Sequence, residues 1–173
     1  TGPNLTIGQG ALQHGRRRLR WLQHAVLVPG IHIGQCALKR INRGHSFEDA
    51  VDAVKRTTAH GITTGAHFIF GLPGESREEM LNQVDIISSL PIKTVKFHQL
   101  QILKGTAMEM EFKNNPDDFE LFTWEEYLDF FIKFLEKLNP AIVVERFTGE
   151  APPRFLTGEG WGKKRTDQIV NLI

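Results

Sequence analysis

His67-Phe68-Ile69-Phe70-Gly71-Leu72-Pro73-Gly74-Glu75-Ser76 decides the fold. An apolar run feeds a Gly-Leu-Pro-Gly turn, and Ser76 with Glu79 three residues on reads as a capped helix start. Strand, tight turn and helix in that order make a βα unit. In α/β folds such a turn lies at the carboxyl end of a strand, where these folds bind ligands. The glycines let backbone approach a partner closely or take positive φ.

Upstream, Ser46 and Asp49 cap a helix whose apolar face is Phe47, Ala50, Val51 and Val54, and His60-Gly61 ends it. Ile62 to Phe70 is then a strand. Its apolar end suits a central parallel strand covered by helices. Before the Ser46 helix, Ile31 to Gln35 reads as a short strand and Leu38 to His45 as a helical turn closed by Gly44. Residues 1–30 carry no clean period; Leu19, Trp21 and Leu22 fit a short helix and Ala25 to Val28 a short strand.

Downstream, Met80, Val84, Ile87 and Leu90 form the buried stripe of the Ser76 helix, which Pro91 stops. Ile92 to Leu103 is the next strand, with Lys96 and His98 on one face by alternation. Residues 107–122 form an excursion with an Asn-Asn-Pro-Asp-Asp loop. Thr123 opens a helix with Tyr127, Phe130, Phe131, Phe134, Leu135 and Leu138 at helical spacing, a core-packing stripe. Ala141 to Phe147 is a further strand, followed by a Gly- and Pro-rich loop and a last helix over residues 163–173. Alternating strands and helices imply parallel strands, in a (β/α) barrel or an open doubly wound sheet. No G-x-G-x-x-G follows the first strand and no G-x-x-x-x-G-K-S/T occurs, so the common nucleotide-binding open sheets are unsupported.

With 173 residues, 40% of them hydrophobic and 24% charged, the chain can build one proper core. Net charge is +1, which gives no general argument for a nucleic acid partner. Cys36 is the only cysteine, excluding a disulfide framework or a multi-cysteine metal site within the chain. No apolar run approaches the roughly 20 residues of a membrane span, and no signal peptide is visible. A cytoplasmic location is expected, with no membrane partner and no large nucleic acid surface on this chain.

Four segments in this order resemble the radical S-adenosylmethionine (SAM) superfamily: Leu38 to His45, Phe70 to Glu75, Lys96 to Thr106, and Arg146 to Arg154. The last resembles an uncharacterised bacterial subfamily of Fe-S oxidoreductases related to the Elongator catalytic subunit and to oxygen-independent coproporphyrinogen oxidase. The resemblance covers residues 31–173. It implies the C-terminal portion of a partial (β/α)6, TIM-like barrel. Residues 31–147 would be barrel, 148–173 a terminal loop and helix, and 1–30 an undefined leading segment. It also implies a 4Fe-4S cluster held by a C-x3-C-x2-C loop, and SAM cleaved to a 5′-deoxyadenosyl radical that abstracts a substrate hydrogen. The protein then supplies position and solvent exclusion. A reductant such as flavodoxin or ferredoxin is the expected partner, and the substrate is unknown.

One cysteine cannot supply three thiolates. The expectation is therefore a fragment of a longer protein; the alternatives are a non-catalytic half-barrel that binds a partner, or an RNA-modifying relative.

The resemblance assigns Gly71, Leu72, Pro73, Gly74 and Glu75 to the adenine side of SAM, Gln35 to the ribose and carboxylate, and Ile102 to a backbone contact. For each a plain reading stands beside it: a βα turn, a strand cap, packing. Lys96 and His98 are the candidates for substrate contacts; for His67 and His98 alike the plain reading is a hydrogen-bonded structural histidine within a strand. Arg40 and Arg43 could meet the SAM carboxylate or lie on the surface. Glu145, Arg146 and Glu150 are possible substrate-side groups or ion-pair partners.

Overall fold

A computed structural model describes residues 27–29, 35–42, 44–149, 151–158, 160, 161 and 168; side chains are described from residue 37. Among the described residues four parallel strands make one sheet: β1 (Leu27–Pro29), β2 (Gly65–Phe70), β3 (Thr94–Gln99) and β4 (Val143–Arg146). They stand side by side in sequence order, each paired in parallel with the next. A doubly wound sheet reverses its strand order at a switch point. This one does not over four strands, which is the winding of a barrel. The fold is α/β, part of a TIM-like barrel.

Helices α1 (Gln35–Arg40) and α2 (Phe47–Ala59) connect β1 to β2. Helix α3 (Arg77–Ser89) connects β2 to β3. Between β3 and β4 lie α4 (Ala107–Asn114), a 3-10 turn (Pro116–Asp118) and α5 (Trp124–Lys137). Ser46 with Asp49, Ser76 with Glu79, and Thr123 with Glu126 each form the two reciprocal bonds of a capping box. Each box satisfies backbone donors that a helix start leaves orphaned.

The core fills one side of the sheet. Ala66, Phe68 and Phe70 of β2 and Val95 and Phe97 of β3 are buried against Val54, Met80, Val84, Ile87 and the aromatic stripe of α5. Phe97 meets Phe131 and Phe134 edge-on at 5.2 Å and stacks on Phe70 at 5.4 Å. Each buried phenylalanine contributes about 1.5–3 kcal/mol by burial, and such ring pairs add roughly 0.5–1.5 kcal/mol.

Four sequence expectations change here. Helices cover one face of β2, whereas residues 65, 67 and 69 are half-buried on the other. The alternation is that of a barrel strand with a helix side and an inner side. Gln35 opens helix α1 instead of ending a strand; residues 31–34 lie outside the described residues. Asn42, at φ 52°, takes the left-handed position after α1 that was assigned to Gly44. Asparagine tolerates that conformation through its short polar side chain. Strand β3 stops at Gln99 because the chain then changes partners. The Leu100 N–H still donates to the Phe70 carbonyl of β2 (2.7 Å), but beyond it Leu103 bridges antiparallel to Leu156. The expected helix over 163–173 lies outside the described residues apart from Gln168, which is helical.

Candidate functional site at the strand ends and inner face

The turn after β2 is anchored on every side. Gly71 has φ 85° and its N–H donates to Met80 Sδ (2.9 Å). Gly74 has φ 83° and its N–H donates to the Asp118 carbonyl (2.8 Å). The Glu75 N–H closes the turn on the Leu72 carbonyl (3.2 Å). Both glycines occupy the left-handed region that other residues enter at a cost. Leu72 and Pro73 are buried, and Gly74 is exposed.

Glu75 is 7% exposed, and its Oε1 accepts from Gln83 Nε2 (3.0 Å). Its carboxylate therefore engages α3. Arg40 donates to Glu111 (2.6 Å) and Asp118 (2.9 Å), which hold its guanidinium above its ordinary pKa. That cation ties α1 to the excursion beyond β3, beside Gly74. Gln35 begins the same helix, but its side chain lies outside the described residues, as do Arg43 and Glu150.

Ile102, 3% exposed, follows β3 on the same rim. Its carbonyl accepts the Thr157 N–H (2.8 Å), while the Lys104 N–H donates to Phe155 (2.8 Å). A cavity of about 470 Å³ opens there, between residues 99–102, 121–125 and 156–161. Phe122, Trp124 and Trp161 give it aromatic walls. Trp161 is fixed by donating from Nε1 to the Phe122 carbonyl (2.8 Å) and by packing on Trp124 and Tyr127. Sequence reasoning missed this cavity, because residues 121–125 and 156–161 meet only in space.

The inner face carries a second group. His67 of β2 and His98 of β3 have ring centroids 5.7 Å apart. Lys96 shares their face, and its Nζ lies 3.1 Å from Glu145 Oε2. Burial first, then the charges of Lys96, His98 and Arg146, push His67 down to about 4. Burial, then Arg146 and Lys96, lower His98. Both imidazoles are thus weak bases at neutral pH. Gln99 clamps the next loop: Thr148 Oγ1 donates to its Oε1 (2.7 Å), and its Nε2 donates to the Gly149 carbonyl (2.9 Å). Gln99 and Gly149 lie within two of the segments that carry the resemblance, but the sequence assigned neither a site role. Among the described residues no group of three His, Cys, Asp or Glu side chains could hold a metal ion.

Comparison with known proteins decides what this arrangement belongs to. The Radical SAM superfamily model matches residues 15–86, and the Radical_SAM C-terminal domain model matches residues 92–172. The chain belongs to the radical SAM superfamily. The first match reaches back into the segment whose sequence alone carried no family signal. This radical SAM chain is 32% identical over 129 residues to the uncharacterized protein YtqA of Bacillus subtilis, covering 75% of the chain and 39% of that relative. It is 34% identical over 122 residues to the uncharacterized protein MJ0486 of Methanocaldococcus jannaschii, covering 70% and 37%. Against YhcC of Escherichia coli the identity is 27% over 136 residues, covering 78% and 43%. The chain thus spans about two fifths of the length of these relatives. Among solved structures, Methanocaldococcus infernus Elp3 with an N-terminus deletion (1–46) aligns at TM-score 0.68 and 20% identity, over 83% of this chain and 33% of that one. At that identity the likeness is one of fold.

Proposed function

We propose that this chain is the cofactor-cradling and substrate-facing portion of a radical SAM oxidoreductase that acts on an as yet unknown substrate. The observation that carries the reading is the rim itself. A glycine turn at the end of β2 stands beside an aromatic-walled cavity of about 470 Å³ at the end of β3, a volume in the range that holds a nucleoside-sized ligand. Gly71, Leu72, Pro73, Gly74 and Glu75, with Ile102 and Gln35, would flank the adenosyl group. The chemistry such a cofactor supplies in the superfamily is SAM cleavage followed by hydrogen abstraction from a substrate.

A 4Fe-4S cluster does not fit this chain, because one cysteine cannot supply its thiolates. In this reading the cluster ligands come from residues outside the chain, and electrons come from a flavodoxin- or ferredoxin-like donor. The chain's own residues orient the cofactor's organic half and shape the inner face where substrate would sit. The turn's own geometry already explains its glycines and the burial of Glu75, so their cofactor role rests on the family pattern and the adjacent cavity.

The sole cysteine also motivates a second reading, a cluster-free half-barrel that binds a partner. One experiment separates the two. The natural protein containing this chain is reconstituted anaerobically with iron and sulfide, then given SAM and dithionite. A reduced 4Fe-4S signal by electron paramagnetic resonance together with released 5′-deoxyadenosine supports the enzyme. Absence of both overturns it in favour of the binding module.

A further inference from the structure

Strand β4 does not alternate. Val95 pairs with Val144, but the next residue, Lys96, pairs with Arg146, so Glu145 is an inserted residue in β4. Such a bulge re-aims side chains. Val144 and Phe147 both pack against the helix-side core, whereas Glu145 and Arg146, consecutive in sequence, act on the groups of the inner face.

The charges there do not balance. Lys96 and Glu145 hold each other at 3.1 Å and are each less than a third exposed. Arg146, exposed on β4 and in register with Lys96 on the face that carries His67 and His98, has no carboxylate within ion-pair distance among the described residues, and its charge lowers the pKa of both imidazoles. His67 Nε2 is buried with no hydrogen-bond partner among the described residues. His98 is held in place by Gly149, against which its ring packs directly. The corner therefore offers a planar guanidinium and two imidazole edges around an uncompensated positive charge. A guanidinium fork matches an oxyanion and repels a metal cation.

We propose that the His67–His98–Arg146 corner binds an oxyanion, a carboxylate or phosphate group carried by the substrate. That the anion belongs to a substrate rests on the radical SAM reading above; the anion site itself rests on the bulge, the orphaned Nε2 and the unpaired cation. Arg146 supplies the charge, His67 and His98 supply hydrogen bonds, and the Lys96–Glu145 pair fixes the floor.

The test is isothermal titration calorimetry on the natural protein containing this chain, with inorganic phosphate in one arm and succinate in the other. Saturable binding of either supports the proposal, and the preferred arm names the group. Arg146→Gln is expected to weaken that binding at least tenfold. Arg146→Lys should keep part of it, and the exposed Lys137→Gln should leave it unchanged. In wild-type protein the ligand should shift the imidazole nitrogen signals of His67 and His98, a readout independent of how well any variant folds. The proposal is overturned if neither anion binds, if Arg146→Gln binds as wild type does, or if S-adenosylhomocysteine displaces the anion, which would make the corner part of the cofactor site. Anion binding without 5′-deoxyadenosine release would leave this site standing and remove the radical SAM reading; release without anion binding would do the reverse.

Discussion

A Cβ on Gly149 would land on the Nδ1 atom of His98. The glycine is thus the wall against which one inner-face imidazole rests, and Gln99 fixes that wall through both of its amide atoms. Gly149→Ala must displace either the His98 ring or the Thr148–Gly149 backbone. Overpacking of this kind costs about 1–3 kcal/mol. Urea denaturation of the variant should show that loss, together with a shifted His98 imidazole signal. An unmoved midpoint and an unmoved signal would refute the contact.

Gly71 and Gly74 share nearly the same φ but differ in surroundings. A Cβ at Gly71 would lie 3.4 Å from the Glu120 carbonyl, which is backbone and cannot yield easily; at Gly74 it would lie 3.4 Å from a terminal nitrogen of Arg40. The left-handed conformation alone costs an alanine roughly 1–2 kcal/mol. Gly71→Ala should therefore destabilise more than Gly74→Ala. Equal midpoints in denaturant would show that backbone conformation alone sets the cost.

Phe97 is fully buried at the centre of the aromatic cluster, touching Phe68, Phe70, Phe131 and Phe134. Phe97→Ala should cost about 3–5 kcal/mol. Val143, 61% exposed on β4, offers the contrast: Val143→Thr should stay within about 0.5 kcal/mol. Thermal unfolding of both variants checks the ranking.

Tyr127 is fully buried and donates its hydroxyl to the Phe147 carbonyl. Burial raises its pKa well above the ordinary tyrosine value, so it stays protonated. Tyr127→Phe keeps the ring packing on Phe131 but strands that carbonyl, at a cost of about 1–3 kcal/mol. A double-mutant comparison with Phe131→Leu should show that the hydroxyl and ring contributions separate.

His67 gives a pH dependence with a defined sign. The groups facing it are Lys96, His98, Arg146 and Glu145, and its folded pKa of about 4 lies below the ordinary 6.5. Between those values the unfolded chain binds a proton that the folded chain refuses. Stability should be complete above pH 6.5 and fall as pH drops toward 4. Urea midpoints of wild type and His67→Gln at pH 7 and 4.5 measure this. The variant's midpoint should fall less, and an equal fall in both proteins would place the effect elsewhere.

Much of the frame was written locally. The capping pairs Ser46–Asp49, Ser76–Glu79 and Thr123–Glu126, the glycine turn at residues 71–74 and the stripe of α5 are all short-range patterns. Each depends on groups three or four residues apart, so the chain states them without knowing its fold. The order of strands and helices followed from them, and with it parallel pairing. The family was legible in four segments for the same reason.

Tertiary structure decided what those segments face. Alternation placed Lys96 and His98 together; a regular strand would also send the consecutive Glu145 and Arg146 to opposite faces, and what keeps both beside Lys96 is the bulge in β4, set by the pairing of two strands about fifty residues apart. Arg40 was open between a cofactor contact and a surface position; its pairing with Glu111 and Asp118, which come from beyond β3, is something no local pattern could show. The clamp between Gln99 and Gly149 and the assembly of the cavity walls could not be read locally, because each joins residues distant in sequence. The chain alone specified the elements and their order; only the packed sheet determined which charges pair, as Lys96 does with Glu145 and Arg40 with Glu111 and Asp118.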